Sequence, residues 1–414
     1  MIDSINFKLE NVIRLDYERL VKLGIPFYKF IIRQRVDKTT YWEWENNNSK
    51  DTIISEGYYF SYNNVSFTYT ILYSTIIIKA NVHQVLNKMD VLLSDRDIYI
   101  GKVQNIVNKV LGVNISELDL HRFDPCVDLK FSNKEMNVRL SLLPYYKNKY
   151  KYMTQKQAYP RSKHLTSAYG KTNINMYDRY TCERNKYLDK NNIDINKILD
   201  LGEYFSELEN QEIILEKYKG IFRIEVQNKK ALIKNETNKL VNKQDKTAID
   251  MFRLDKDLYG YWNKETMKEF YFDLLKDYLY VGIHYKLKIA YSIIDSKGED
   301  SYKTKLKDFL FYVSRYGITN VIKSKDNKAR HKTWSNTTVD KYIQKLSDLN
   351  INPICLDNDC EFDYLESLYT LAKKVAEEKY FNIDNLEIPE APQPKSNMPV
   401  STFEYKQRRH FDIW

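Results

Sequence analysis

Apolar and polar residues alternate with a period of two in three separate stretches, the pattern of strands with one buried and one polar face. In residues 118–131, Phe123, Val127, Leu129 and Phe131 share one face, and Arg122, Asp124, Asp128 and Lys130 share the other. In residues 221–227, Phe222, Ile224 and Val226 form the apolar face, and Arg223, Glu225 and Gln227 the polar one. Between these lies a third strand, 173–179, with Asn173, Asn175, Tyr177 and Arg179 on one side. Placed side by side with polar faces aligned, the three strands would gather carboxylates, arginines and a tyrosine into a small area.

Elsewhere the patterns separate into a β-rich first part and a helical second part. Residues 7–80 read largely as strands, with alternation in 58–62 and 65–71 around Asn63-Asn64, a turn pair that predicts a hairpin. Asn81 is placed to cap a short helix from Val82. Val103, Ile106, Val107 and Val110 fall at helical spacing in 97–111, with Gly112 as the stop. Another helix is expected from Ser132-Asn133-Lys134-Glu135 to Leu143, and a hairpin from Leu165 leads into 173–180. Residues around Asp194, Leu199, Tyr204 and Leu208 read as polar helix, 231–240 as helix, and Asn263-Lys264-Glu265 as the opening of an amphipathic helix to about Leu279. In 303–350, Leu306, Phe309, Leu310 and Val313 make one stripe ended by Gly317, and Val339, Tyr342, Ile343, Leu346 and Leu349 make a second begun at Ser335. The expected fold is α+β: an antiparallel central sheet with flanking helices over 1–235, then an α-helical region over 236–388. Pro389, Pro392, Pro394 and Pro399 mark an extended segment, and 389–414 reads as a Pro-rich and basic tail.

At 414 residues the chain has room for two or three domains and no need of disulfides. Cys126, Cys182, Cys355 and Cys360 are scattered, and Cys355 and Cys360 have no second Cys or His pair to complete a zinc site, so reduced thiols are expected. No basic leader followed by an apolar core opens the sequence and no stretch has bilayer-spanning length, which predicts a cytoplasmic protein without a membrane partner. Lys plus Arg number 65 against 56 Asp plus Glu, a formal +9 that suits a polyanionic partner. Cations and tyrosines interleave in 145–161, suited to single-stranded nucleic acid or to a solvated loop. Lys323, Lys325, Lys328, Arg330 and Lys332 make 323–332 a candidate contact for DNA phosphates. The Gly-rich loop that ends in Lys-Ser/Thr is absent, which argues against an ATP-driven helicase.

The polar faces carry candidate chemistry. Asp124 and Glu225 are the first candidates for a divalent cation, and oxygen ligands favour Mg²⁺ or Mn²⁺. Gln227 is a further candidate ligand. Asp128 is open to three roles: a ligand, a group that orients one, or a mate for Arg122 or Lys130. Strand parity puts His121 beside Phe123 on the apolar face, where a core histidine is expected. With 35 tyrosines, no nucleophile can be chosen by residue type alone.

An Arg-x-Asp strand, a Tyr-x-Lys/Arg segment with a Glu six residues after the Tyr (Tyr177, Arg179, Glu183), and an Arg-x-Glu strand follow in that order. This resembles the rolling-circle replication initiators of filamentous phages, the gene II/X class, and the related Rep_trans plasmid initiators. These are HUH-like nickases without the His-x-His motif. The resemblance runs from Met1-Ile2-Asp3 through 75–80 and Val85-Leu86 to the region near Leu349. It implies an HUH-endonuclease-like nicking and joining domain over 1–235 and a helical DNA-binding domain over 236–388. It also implies that Tyr177 attacks one strand of an origin and becomes linked to its 5′ end, with Arg179 and Arg223 assisting and Arg122 contacting DNA. Arg179 stands where a lysine is frequent, and Glu225 and Gln227 stand where the two histidines of the wider superfamily would. Tyr180 and Tyr187 are rival nucleophiles. Origin DNA, duplex and single-stranded, is the implied partner, with a host helicase and polymerase downstream. Two alternatives stand beside this reading: a conjugative relaxase and a non-enzymatic DNA-binding regulator. Monomer and dimer are equally open.

Overall fold

The computed structural model describes residues 2–34, 40–44, 51–88, 91–146, 162–166, 172–190, 215–229, 262, 268–323 and 331–380. Within them the period-two segments form ten strands: β1 (Ile2–Leu9), β2 (Phe27–Gln34), β3 (Thr40–Trp44), β4 (Thr52–Tyr62), β5 (Val65–Thr70), β6 (Thr75–Asn81), β7 (Asp119–Lys130), β8 (Ser162–Thr166), β9 (Thr172–Asp178) and β10 (Ile221–Lys229). They build a single sheet in the order β3-β2-β4-β5-β6-β1-β7-β10-β9-β8, with every neighbouring pair antiparallel. The N-terminal strand therefore runs through the middle, joining β2–β6 on one side to the three patterned strands and β8 on the other. Ten helices follow the helical spacings: α1 (Tyr17–Lys22), α2 (Val82–Leu86), α3 (Arg96–Leu111), α4 (Asn133–Leu142), α5 (Arg179–Lys190), α6 (Leu274–Leu279), α7 (Leu287–Lys297), α8 (Asp300–Val321), α9 (Asn336–Asp348) and α10 (Leu368–Val375). A two-stranded sheet, β11 (Ile283–Tyr285) with β12 (Tyr364–Glu366), sits within the helical part. The fold is thus mixed α+β with a large antiparallel sheet, and no helix among the described residues is long and apolar enough to cross a membrane.

The apolar faces line up across the sheet. Ile5 lies opposite both Ala80 and Phe123, and Ile224 lies opposite both Val127 and Met176; all six are buried. Helices cover this face. Tyr99 of α3 is buried and donates its hydroxyl to the Ala80 carbonyl at 3.2 Å, and the Tyr271 hydroxyl reaches the Ile224 carbonyl at 2.9 Å. Further polar ties bind the C-terminal part: Arg139 of α4 donates to the Glu366 carbonyl at 3.0 Å, and Tyr146 meets His284 at 3.3 Å. The buried side chains of both parts form one continuous core.

Local rules read from the sequence recur in the structure. Asn63 and Asn64 both adopt positive φ in the β4–β5 turn, the twist that suits a tight hairpin. The Asn81 side chain accepts from the Gln84 N–H and caps α2, and the Ser132 and Ser335 side chains cap α4 and α9 in the same way. α3 stops at Gly112 with φ 75°.

Three expectations are corrected. The strand expected over 173–180 ends at Asp178, and Arg179 opens α5; the Asp178 carboxylate accepts from the Thr181 hydroxyl at 2.7 Å and so tethers the first turn. The stop expected at Gly317 is present: the residue takes non-helical dihedrals at φ 73° and breaks α8 into two helical stretches, the second running through Val321. A Cβ there would lie 3.2 Å from the Tyr145 Cα, so close packing as well as conformation selects glycine. His121 is half-buried instead of joining Phe123 in the core, because the β1–β7 register slips between Asn6 and Phe7. Strand structure begins at Ile2 and not at residue 7. Lys325, Lys328, Arg330, the 147–161 stretch, the helical expectations around Asp194 to Leu208 and over 231–240, and the tail lie outside the described residues.

Gly57 in β4 supplies a test of the β2–β4 pairing. A Cβ built there would lie 2.2 Å from the Phe30 Cζ and 2.5 Å from the Tyr69 carbonyl oxygen. Gly57→Ala should therefore lower stability by about 1–3 kcal/mol through overpacking, read as a reduced urea midpoint at constant slope. An unshifted midpoint would mean that β2 does not pack on β4 in this way.

Candidate active site

β7, β10 and β9 are consecutive in the sheet, so their polar faces coincide. Register sets the pairs: Arg223 lies opposite Asp128 on one side and Tyr177 on the other, and Glu225 opposite Cys126 and Asn175. This face is itself buried, with Asp124 at 0%, Arg223 at 2%, Arg179 at 4%, Glu225 at 5% and Tyr177 at 8% exposure. Buried charges persist only when paired and hydrogen-bonded.

The pairing divides into two groups. In the first, Arg223 donates from Nε to Asp128 Oδ1 and from Nη2 to Oδ2, both at 2.7 Å, while Arg179 Nη1 reaches Oδ2 at 2.5 Å. Arg223 also holds Asp3, and the Arg179 guanidinium lies 4.4 Å from the Tyr218 ring centre. Burial opposes the charge on Asp128, but Arg223 and then Arg179 overcome it and hold the carboxyl well below the usual range. His83 of α2 sits 3.4 Å from Arg223 Nη2. Burial, and next the Arg223 charge, push its pKa down to about 3, so it stands neutral among the arginines.

In the second group, Arg122 grips Asp124 through Nε to Oδ1 and Nη2 to Oδ2, each at 2.7 Å, and the Ser4 hydroxyl donates to Oδ2 at 2.5 Å. The same Nη2 lies 3.6 Å from Glu225 Oε1. Glu225 Oε1 also accepts from Gln227 at 2.6 Å and from Asn175 at 3.4 Å, while Oε2 accepts the Tyr177 hydroxyl at 3.2 Å. Burial raises the pKa of both Asp124 and Glu225. Burial, followed by the Glu225 charge, also holds the Tyr177 phenol far above its ordinary value, so its proton stays on. Arg122, at 26% side-chain exposure, is the least buried charge of this group.

The structure thus brings together Tyr177, Arg179, Arg223, Asp124, Asp128, Glu225, Gln227 and Arg122. Arg179 arrives from the first turn of α5, not from a strand. Asp128 stands apart from Asp124 and Glu225, its oxygens taken by Arg223 and Arg179. Lys323 and Lys332 lie elsewhere, on the helical part; both are exposed, and Lys332 pairs with Asp308 at 2.8 Å. Sequence reading missed Asp3, Ser4 and His83. A signal for the first two exists: apolar positions at Ile2, Ile5 and Phe7 break strict alternation. The β1–β7 register shift between Ile2 and Ser4 is a bulge that turns Asp3 and Ser4 to the same polar side. His83 had no signal, because only the packing of α2 brings it to Arg223.

A divalent cation fits the chemistry of the second group. Asp124, Glu225 and the Gln227 amide oxygen are all hard donors, suited to Mg²⁺ or Mn²⁺. The Arg122 guanidinium bridges the two carboxylates in the place of a counter-charge. Among the described residues no cluster of three or more His, Cys, Asp or Glu side chains is arranged around a metal position, so the candidate set is two carboxylates and an amide. No family model matches the chain, and no curated protein matches it.

The Asp128 clamp predicts a pH signature. A carboxyl whose folded pKa is depressed contributes stability that is complete above its unfolded pKa of about 4 and is lost as pH falls towards the folded value. Arg223→Gln removes most of that depression and leaves the buried Asp128 carboxylate with Arg179 as its one close cation, a loss of up to about 3–5 kcal/mol at neutral pH. Relative to wild type, the deficit should be full at neutral pH and narrow below about pH 4. Urea unfolding across this range tests it; a deficit independent of pH would mean that Asp128 is not held ionised by Arg223.

Proposed function

We propose that the chain is a metal-dependent nickase and strand transferase with an HUH-like site, which opens one strand at a phage or plasmid replication origin through Tyr177. The observation that carries this reading is the Tyr177 hydroxyl on Glu225 Oε2 at 3.2 Å, a nucleophile and a proton acceptor in direct contact. Burial raises the proton affinity of Glu225, which suits it to take the phenol proton. Tyr177 Oη then bonds to the scissile phosphorus as the bond from phosphorus to the 3′ oxygen breaks. The 3′ oxygen takes up a proton and leaves a 3′-OH able to prime synthesis; the 5′ phosphate stays on Tyr177, and reversal of the step rejoins the strand.

The remaining groups have assignable tasks. Glu225 uses different oxygens for Tyr177 and for Arg122, so proton transfer and cation contact do not compete for one atom. Arg122, partly exposed beside Asp124, is the guanidinium placed to meet an entering phosphate in a planar fork. Arg179 and Arg223 act through Asp128, fixing β7 against β10 and the start of α5. Bound by Asp124, Glu225 and Gln227, Mg²⁺ or Mn²⁺ would supply Lewis-acid polarisation of the phosphate. The helical part, with Lys323 and Lys332 on its surface, is the proposed DNA-binding region, and a host helicase and polymerase would act on the opened strand. A relaxase would use the same chemistry at a transfer origin.

One observation favours a second reading. Tyr177 is 8% exposed and every carboxylate of the site is already paired, as in a DNA-binding regulator whose charged face serves only the fold.

The two readings separate in one assay. Full-length protein is incubated with Mn²⁺ and labelled single strands tiling the origin of the encoding replicon, then denatured. The nickase reading expects a protein–DNA adduct that is absent in Tyr177→Phe and kept in Tyr180→Phe. Glu225→Gln should slow adduct formation by about 10²–10⁴-fold, the range for a general base. Gel retardation without an adduct at any metal concentration would leave the regulator reading in place.

A further inference from the structure

Apart from the sheet site, aromatic rings run from the core of the helical part to its surface without a break. Tyr302 contacts Tyr342 at 6.4 Å between ring centres, Tyr342 contacts Phe309 at 5.5 Å, and Phe309 contacts Trp334 at 5.5 Å. Trp334 then meets Tyr312 at 5.8 Å, and Tyr312 meets Tyr316 at 6.3 Å. At the end, Tyr316 and His331 stack face to face at 4.0 Å and 7°. Phe309 is fully buried, whereas Tyr316 is 39% and the neighbouring Phe311 38% exposed. The two exposed rings are five residues and about 140° apart around the helix, and Tyr312, with its ring centre 5.3 Å from that of Phe311, links them.

Cations accompany the rings. The Arg315 guanidinium lies 4.9 Å from the Phe311 ring centre, and Lys332 lies 5.6 Å from that of Trp334. At the other end, Lys305, Lys341 and Lys345 surround Tyr302 at 5.3, 5.1 and 4.4 Å. Lys345 and Lys332 also pair with Glu299 and Asp308; among the described residues Arg315, Lys305 and Lys341 pair with no carboxylate, and Lys341 hydrogen-bonds the Tyr302 hydroxyl. Tyr302 and Tyr316 both lie on α8, about 21 Å apart at 1.5 Å per residue, long enough for several nucleotides in a row.

We propose that the α8–α9 face is a track for single-stranded DNA, with bases stacked on Phe311 and Tyr316 and phosphates met by Arg315, Lys341 and Lys305. A duplex keeps its base faces inside its own stack and cannot use exposed rings, and an acidic peptide would use the cations alone. Every base has a π-face, so the track reads little sequence; it holds a displaced strand. The inference deepens the nickase reading and rests on it for the choice of DNA.

The test measures anisotropy of a labelled thymidine homopolymer, single-stranded and as a duplex, with the full-length chain. Tyr316→Ala and Phe311→Ala should each weaken single-strand affinity by about 5- to 150-fold, the cost of one lost stacked base, with duplex affinity unchanged. Both positions are exposed, so folding should survive; Tyr316→Phe keeps the ring and should bind as wild type. Arg315→Gln should reduce the slope of log K against log salt by about 0.7. Unchanged single-strand affinity in both alanine variants, equal losses for single strand and duplex, or tighter binding of a uridine homopolymer would each overturn the proposal. Tyr177→Phe serves as the separator: it should bind like wild type. If the alanine losses appear while wild type never forms an adduct, the track stands and nicking falls; an adduct with unchanged affinities gives the converse.

Discussion

Burial of a charged sheet face is the constraint on which the site depends. Asp3, Asp124, Asp128 and Glu225 face Arg122, Arg179 and Arg223, one negative charge in excess when all are ionised. Each ion costs several kcal/mol to desolvate, and only close pairing offsets that. The network does not distribute this cost evenly. Asp128 receives three short donor contacts and is held ionised, whereas Asp124 and Glu225 are pushed towards their protonated forms. One group is therefore a rigid bolt across β7, β10 and α5, and the other keeps proton affinity available.

That division explains why β1 occupies the centre of the sheet. Its first residues reach both groups: Asp3 pairs with Arg223, and Ser4 donates to Asp124. A regular strand would turn only one of two consecutive side chains to that face. The bulge between Ile2 and Ser4 turns both, while Ile2 and Ile5 stay in the core. On the opposite face, Tyr271 pins the Ile224 carbonyl of β10. Strand β10 is thus fixed from both sides at the residues that flank Glu225.

Much of this was legible in the sequence, and the rest was hidden for identifiable reasons. The faces of β7, β9 and β10 were visible because apolar and charged residues alternate without ambiguity, and a period of two leaves one assignment of faces. Tyr177, Glu225, Asp124 and Arg122 accordingly fall on one buried surface. Bulges were not legible, since they depend on the register of a partner strand; His121 is half-buried at one of them, and Asp3 was passed over at the other. Arg179 was read as strand because nothing before it signals a stop, yet the Asp178–Thr181 contact turns the chain into α5. His83 is 140 residues from Arg223 and meets it only through the packing of α2. The aromatic run of α8 and α9 was read as core stripes at Phe309 and Tyr342, which are buried; the exposed Phe311 falls outside that periodicity, and Tyr316, seven residues after Phe309, continues it past the buried stretch.

The carboxylates also limit how any phosphate can enter. A phosphodiester brings a further negative charge beside Asp124 and Glu225, and the guanidinium most open to it, Arg122, is committed to Asp124 by two contacts at 2.7 Å. Either Arg122 leaves Asp124, which then sits buried without its cation, or a second cation takes over the carboxylates and frees the guanidinium. The first route costs what the loss of a buried partner costs, about 3–5 kcal/mol. The second relieves the forces that raise the proton affinity of Asp124 and Glu225 and leaves Arg122, the least buried charge of its group, for the substrate. On the nickase reading, Asp124 and Glu225 would hold the divalent cation and Arg122 would be freed for the phosphate, so metal dependence and substrate binding would be one electrostatic event.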